Sequence, residues 1–290
     1  MEYQLRSKVH DHQLFVEQCS YLRYRAQKSL GQNFIIDEGI IHSTIDAAGV
    51  SDTDLILEIG PGTGRLTKPL LELARKVVGI ELDPVLGFKL ANFLDGFSNF
   101  TLLTEDARYT DYDDITRGDP YKIISNLPYY ASNFFLRTFI ELRNKPTLMV
   151  LMFQKEVADN VLAGPGSRRL ISVITQSMCE VTKVCDVPKE SFEPQPKIDS
   201  TVIKIIPKKD SFITLDNYSQ FCDMLRAAFS SPRKTISNAL SKSLNKPKSE
   251  CIRVLTSCDI DPQRRSETLK LDEWRLLFDS SYSDLFDSNV

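Results

Sequence analysis

Residues 126–130 read Asn-Leu-Pro-Tyr-Tyr, an order of amide, proline and aromatic that can hold a flat amine. An amine conjugated to an aromatic ring is a poor nucleophile, because its lone pair is delocalised into the ring. The side-chain oxygen of Asn126 can accept one N–H of such an amine, and the Leu127 carbonyl can accept the other. Pro128 disfavours the α region for Leu127 and donates no N–H, which helps hold that carbonyl in place. Two acceptors arranged in this way aim the nitrogen lone pair at an incoming electrophile. Tyr129 adds an aromatic face for the base. As a bare pattern this is an ordinary turn, so its meaning depends on the element it follows. Glu81 and Asp106 pose the same question, since a single carboxylate is more often a solvated loop charge or a helix cap.

The element that decides lies upstream. Residues 55–59 (Leu-Ile-Leu-Glu-Ile) suit a buried parallel strand. Gly60, Gly62 and Gly64 follow, and helical spacing starts at Arg65. Strand, glycine turn and helix form a nucleotide site at the carboxyl end of an open α/β sheet. The dinucleotide template G-x-G-x-x-G fails, because Arg65 stands at its sixth position. The turn E-x-G-x-G-x-G instead resembles motif I of the S-adenosylmethionine-dependent methyltransferases.

Further strands are predicted over 76–82, 100–103, 121–125 and 147–153, and helices over 37–48, 84–93, 134–142 and 154–162. Asp37 suits an N-cap and Pro84 a first helical position. This alternation predicts a parallel sheet covered on both faces, with its ligand at the carboxyl strand ends. Glu81, Asp106 and Asn126 all fall at such ends. Glu81 suits a pair of ribose hydroxyls, and Asp106 an exocyclic adenine amine. Two later β-like segments, 180–187 and 201–206, are joined only by a Pro-rich loop over 188–196, so an antiparallel pair at the sheet edge is expected. In that loop Phe192 either covers the second face of a base or anchors the loop, and Lys197 adds a positive charge.

Beyond residue 210 only helices are predicted, over 218–229, 234–244, 248–257 and 272–278. The expected fold is α/β: a Rossmann-like, mostly parallel sheet with an antiparallel edge pair, then a small all-α domain. The expected division is an N-terminal extension over 1–25, a catalytic domain over 26–210 and a helical domain over 211–290.

The chain has 290 residues, 42% apolar and 26% charged, a globular composition with ample material for a core. No apolar run approaches the roughly 20 residues of a membrane span, and residues 1–28 do not read as a secretory signal. Six scattered cysteines, with no C-x-x-C pair, read as reduced thiols. His10, His12 and His42 have no accompanying carboxylate or cysteine cluster, so no metal is implied. Net charge is −3 and the pI about 5.8, which argues against a protein coated in positive charge. Any RNA contact must come from a local patch, and Arg226, Arg233, Lys234, Lys242, Lys246, Lys248, Arg253, Arg264 and Arg265 gather in the helical segment.

Several motifs occur in a fixed order. They are Gln32, Asn33 and Phe34; the turn 58–64; Glu81; 105–107; 126–130; 154–157 (Gln-Lys-Glu-Val); and 165–167 (Pro-Gly-Ser). Phe192, Pro194, Pro196, Lys197, Asp199 and Ser200 come next, and Phe229, Arg233 and Lys234 end the series. The set closely resembles the ribosomal RNA adenine N6,N6-dimethyltransferases, in particular the small-subunit, kasugamycin-resistance (KsgA) branch, over roughly residues 26–280. The lead-in over 26–30 is less basic than that family's usual run.

This resemblance implies that Asn33, Ile35, Gly60, Gly62, Glu81, Asp106 and Asn126 contact S-adenosylmethionine. It implies a target-adenosine pocket of Asn126, Leu127, Tyr129 and Phe192, with Lys197, Arg233 and Lys234 meeting RNA. The implied substrate is a pair of adjacent adenosines in the 3′-terminal hairpin loop of small-subunit (16S) rRNA, within an assembling subunit. The implied reaction is direct displacement at a sulfonium methyl, by a cytoplasmic monomer that needs no metal. Three rivals stand beside it. The erythromycin-resistance enzymes modify large-subunit RNA, but Leu127 and the helical tail favour the small-subunit branch. An organellar branch doubles as a transcription factor, and a clean transit peptide is missing. An assembly factor acting chiefly by binding is the third, against which stands the intact motif over 126–130.

Overall fold

The computed structural model describes residues 24–27 and 31–286. Most of the expected extension, with His10, His12 and Cys19, lies outside the described residues. β1 (Phe34–Ile35) leads into α1 (Glu38–Ala48), whose N-cap Asp37 accepts the Ile40 N–H at 3.2 Å. Strands and helices then alternate: β2 (Leu55–Ile59), α2 (Thr67–Leu73), β3 (Lys76–Glu81), α3 (Pro84–Phe93), β4 (Phe100–Thr104), α4 (Tyr112–Thr116), β5 (Tyr121–Asn126), α5 (Ser132–Glu141), β6 (Leu148–Gln154) and α6 (Lys155–Leu162). Next come α7 (Leu170–Met178), β7 (Cys179–Val187), β8 (Phe192–Glu193) and β9 (Ser200–Pro207). The chain ends in α8 (Tyr218–Phe229), α9 (Ile236–Leu244), α10 (Lys248–Ser257) and α11 (Leu271–Phe286).

Seven strands form one sheet in the order β4-β3-β2-β5-β6-β9-β7. The pairs among β2 to β6 are parallel, and β9 runs antiparallel to β6, Met149 opposite Ile205 and Gln154 opposite Ser200. The fold is therefore α/β with a mostly parallel sheet. Strand order reverses between β2 and β5, the switch point at which open α/β sheets bind ligands. Burial explains the strand sequences. All five residues of β2 are buried, so the run is continuously apolar except for Glu58. Ile56 and Leu57 have no exposed surface, and each such side chain stabilises the fold by about 1.5–3 kcal/mol.

The chain divides into two compact units, Met1–Ala158 with Thr182–Pro207, and Asp159–Val181 with Lys208–Val290. The second unit thus takes in residues 159–181, which the sequence reading placed with the sheet. Its aromatic core includes Trp274, with no exposed surface, stacked on Phe229 at 5.6 Å, and Phe278 edge-on to Phe221 at 5.2 Å.

A two-residue ribbon was not anticipated. β1 pairs antiparallel with β8, Phe34 opposite Glu193 and Ile35 opposite Phe192. The pairing bears on Phe192, for which the sequence leaves two roles open. Phe192 is 2% exposed and packs in the core with Ile35, Val187 and Val202, so it anchors the Pro-rich loop. Phe192→Ala should therefore cost about 3–5 kcal/mol of folding stability, the range for a deleted core aromatic. Urea denaturation measures it, and a variant as stable as the parent would return Phe192 to a surface role.

Candidate active site

An open cavity lies at the carboxyl ends of β2, β3, β4 and β5. Its walls include Asn33, Ile35, Gly60, Gly62, Glu81, Asp106, Asn126, Leu127 and Tyr129. Nine residues scattered through the sequence thus meet in one place, because each lies at or just beyond the carboxyl end of a strand of the sheet or in and beside β1. Phe192 and Lys197 do not line it; Lys197 is exposed. Arg233 and Lys234 are exposed residues of the second compact unit, between α8 and α9.

The glycine turn shapes one wall. Gly60 and Gly62 sit at φ +68° and +59°, the left-handed region where a side chain is costly. A Cβ on Gly62 would stand 3.0 Å from the Phe34 ring, so the turn can pass that ring only without a side chain. Its backbone is tied to β3: the Gly62 N–H donates to Glu81 Oε2 at 3.1 Å, and the Asp83 N–H to Oε1 at 3.0 Å. Both carboxylate oxygens are thereby fixed in place, and each keeps lone pairs for a ligand. Burial raises the Glu81 pKa, while these N–H groups oppose the rise.

Arg65, which breaks the dinucleotide template, has a structural task. Its guanidinium donates to the Ile36 carbonyl at 2.9 Å and pairs with Glu38, joining the start of α2 to the segment after β1. On the far side of the cavity, Arg108 grips Asp106 through Nε at 3.0 Å and Nη2 at 2.6 Å and lowers its pKa.

Asn126 closes the floor. Its Nδ2 donates to the Asn33 carbonyl at 3.3 Å, and its buried Oδ1 has no hydrogen-bond partner among the described residues. An orphaned buried acceptor is uncommon and marks a place where a donor belongs. Tyr129 is held by a 2.7 Å hydrogen bond between its hydroxyl and Ser200 Oγ.

Sequence reasoning missed a brace behind the cavity. The Tyr24 hydroxyl donates to Asp83, whose Oδ2 also accepts Gln27 Nε2 at 2.8 Å, and it lies 2.8 Å from Gln32 Oε1. Burial and Asp83 push the Tyr24 pKa up to about 12. The brace seats Gln32 to Phe34 in the wall. No spacing signal announces it, because Asp83 lies 59 residues beyond Tyr24.

Glu58 was noted only as part of the turn, yet it lines the cavity at 2% exposure with Oε2 unpartnered among the described residues. Burial, with the nearby Glu81 charge, pushes its pKa up to about 8 from the ordinary 4.5. Between those values the folded state holds a proton that the unfolded state has lost. Stability should thus fall as pH rises from about 4.5 to about 8. Glu58→Gln removes this loss, so denaturation midpoints of parent and variant should diverge with pH, the variant being favoured at pH 8. Parallel curves would refute the assignment.

The comparisons with known proteins bear on what such a cavity does. Residues 23–278 match the family described as ribosomal RNA adenine dimethylase. The Ribosomal RNA small subunit methyltransferase A of Dehalococcoides mccartyi (strain CBDB1) is 38% identical over 254 residues, 87% of each chain. The protein of that name from Clostridium botulinum (strain ATCC 19397 / Type A) is 36% identical over 265 residues, 90% of this chain and 96% of the relative. Among solved structures, a dimethyladenosine transferase from Plasmodium falciparum superposes with a TM-score of 0.73 at 32% identity, over 82% of this chain and 94% of that one. The 23S rRNA methyltransferase ErmE superposes at 0.71 over 86% of this chain and 99% of its own, but at 22% identity it shares only the fold. A strand-end cavity of these residues, matched along nearly the whole chain, places the protein in the ribosomal RNA adenine dimethylase family.

Proposed function

We propose that this enzyme dimethylates N6 of two adjacent adenosines in the 3′-terminal hairpin loop of small-subunit rRNA, using S-adenosylmethionine bound in the strand-end cavity. The observation that carries the reading is the buried, partnerless Asn126 Oδ1 at the cavity floor. The cavity suits this cofactor by its donor set. Glu81 offers anchored carboxylate oxygens to ribose hydroxyls, Asp106 an acceptor to the adenine amine, and Gly60 and Gly62 open room that a Cβ would fill. When bound, S-adenosylmethionine supplies a methyl group on sulfur that is already a good leaving group.

The chain's own work is positioning. Asn126 Oδ1 accepts one N–H of the adenosine amine, and the Leu127 carbonyl, unclaimed among the described residues, accepts the other. Leu127 is 1% exposed and Pro128 restricts it, so that carbonyl has little freedom. Tyr129 presents its ring to the base. Holding reactants at near-attack distance can contribute several kcal/mol, enough for a displacement with no nucleophilic residue. Among the described residues no cluster of His, Cys, Asp or Glu could hold a metal ion, and no helix is long and apolar enough to cross a membrane. The reading places a monomeric enzyme in the cytoplasm, acting on an assembling small subunit.

Docking falls to local bases. Arg226, Lys246, Arg264 and Arg265 are engaged with Asp223, Glu250, Glu273 and Glu267. Arg233 and Lys234 are exposed and have no ion pair among the described residues, which leaves them for phosphate.

Glu81→Ala should weaken S-adenosylmethionine binding roughly ten- to a hundredfold, the effect of losing a hydrogen bond to a charged acceptor. Asn126→Ala should lower turnover far more than RNA affinity. Calorimetry and single-turnover methylation read the two, and an Asn126→Ala enzyme with normal turnover would rule out the clamp.

Replacing Arg233 and Lys234 together should weaken small-subunit binding and flatten its salt dependence, with cofactor affinity intact. Methylation of small subunits, large subunits and protein-free rRNA, scored by mass spectrometry for dimethyladenosine, tests the substrate. Equal use of free RNA, or preference for large subunits, would overturn it.

A further inference from the structure

The rim of the cavity carries aromatic surface that the reaction does not use. Tyr109 is 83% exposed, Tyr130 59% and Phe134 44%. They are not scattered. Tyr130 lines the cavity, and a Cβ built on Gly31 across the opening would lie 3.8 Å from its ring. Arg108, which braces Asp106, also stands over the Tyr109 ring at 5.7 Å from its centre, and its charge acts on the Tyr130 phenol. Phe134 lies in the first turn of α5, four residues after Tyr130, and packs edge-on at 5.6 Å against Phe135, itself a cavity residue. Tyr109, Arg108, Tyr130 and Phe134 therefore make one strip along the mouth.

Single exposed apolar residues need no explanation, but a contiguous aromatic strip beside a site does. An enzyme that acts on a base must take it out of the stack, and in a looped strand the chain neighbours of that base arrive at the mouth unstacked as well. Flat rings with an interleaved guanidinium offer such bases the faces they have lost. The guanidinium also sets positive charge near their phosphates.

We propose that Tyr109, Arg108, Tyr130 and Phe134 form a stacking platform for the unpaired nucleotides that flank the adenosine in the cavity. The proposal rests on the RNA reading above and adds to it: specificity for a looped strand is read outside the pocket, by stacking on its neighbours.

The test uses the full chain and a stem–loop RNA with adenosine in its loop and 2-aminopurine at the neighbouring position. Fluorescence should change on binding, as the reporter base stacks. Tyr109→Ala and Phe134→Ala should each raise the Kd for this RNA roughly 5- to 150-fold and abolish the change in the reporter. Cofactor affinity by calorimetry and the thermal midpoint should stay at parent values. Tyr109→Phe should retain binding and Tyr109→Leu should not, because the ring and not its hydrophobicity is required. Unchanged Kd and reporter signal in the Tyr109→Ala/Phe134→Ala double variant would overturn the platform. So would a loss of cofactor affinity, or a defect seen with small subunits alone, which would make the strip a cofactor wall or a protein contact. Failure of the parent protein to methylate any rRNA would instead overturn the proposed function, and the reporter signal would still decide the platform.

Discussion

The site depends on one carboxylate held by two backbone N–H groups. Glu81 accepts from Gly62 on one oxygen and from Asp83 on the other, at 3.1 and 3.0 Å. These two contacts lock the turn after β2 to the turn after β3, and so fix the spacing between the wall of glycines and the acidic end of the next strand. The lock works only because Gly62 adopts φ +59° and brings its N–H round to the carboxylate past the Phe34 ring. Glycine adopts this backbone without strain, and any other residue here would not. The arrangement is typical of ligand sites: buried charge is gathered at the strand ends and supported by the sheet behind them.

Charge in the cavity is balanced against burial. Glu58, deepest and unpaired on one oxygen, holds its proton near neutral pH; Glu81, anchored by N–H groups, is better placed to remain ionised. Asp106 is kept ionised by Arg108. Three carboxyl groups within one cavity thus differ in state because their partners differ. A cationic ligand meets a wall whose negative charge is graded from rim to floor. The acidic balance of the whole chain, −3, has the same sense, and it leaves recognition of a polyanion to local groups such as Arg108, Arg233 and Lys234.

Much of this was legible in the sequence. The apolar run 55–59 and the pattern 84–93 behind Pro84 match β2 and α3 residue for residue, since each has a strong period and a chemical boundary. Glu81, Asp106 and Asn126 could be assigned to one site because strand-end placement is a rule of the fold class. Other features left no trace. α7 was missed because its sequence, Leu-Ile-Ser-Val-Ile-Thr-Gln-Ser-Met, is rich in β-branched residues that favour strands. α4, five residues long, and β8, two, are too short to show any period. Phe192 was ambiguous for a different reason. A phenylalanine between prolines reads alike whether it faces solvent or core, and only the pairing with Ile35 decides.

That pairing also orders events in time. Phe34 lies opposite Glu193, so a wall of the cavity that begins near the start of the described chain is held by a strand 159 residues later. During synthesis the glycine turn, Glu81, Asp106 and Asn126 all leave the ribosome before the segment that seats Phe34 and Ile35. A chain stopped short of residue 193 has every polar ligand-binding group but lacks the strand that fixes this wall. Completion of the cavity therefore waits on a late segment of the chain, and a chain stopped before it cannot form the finished site.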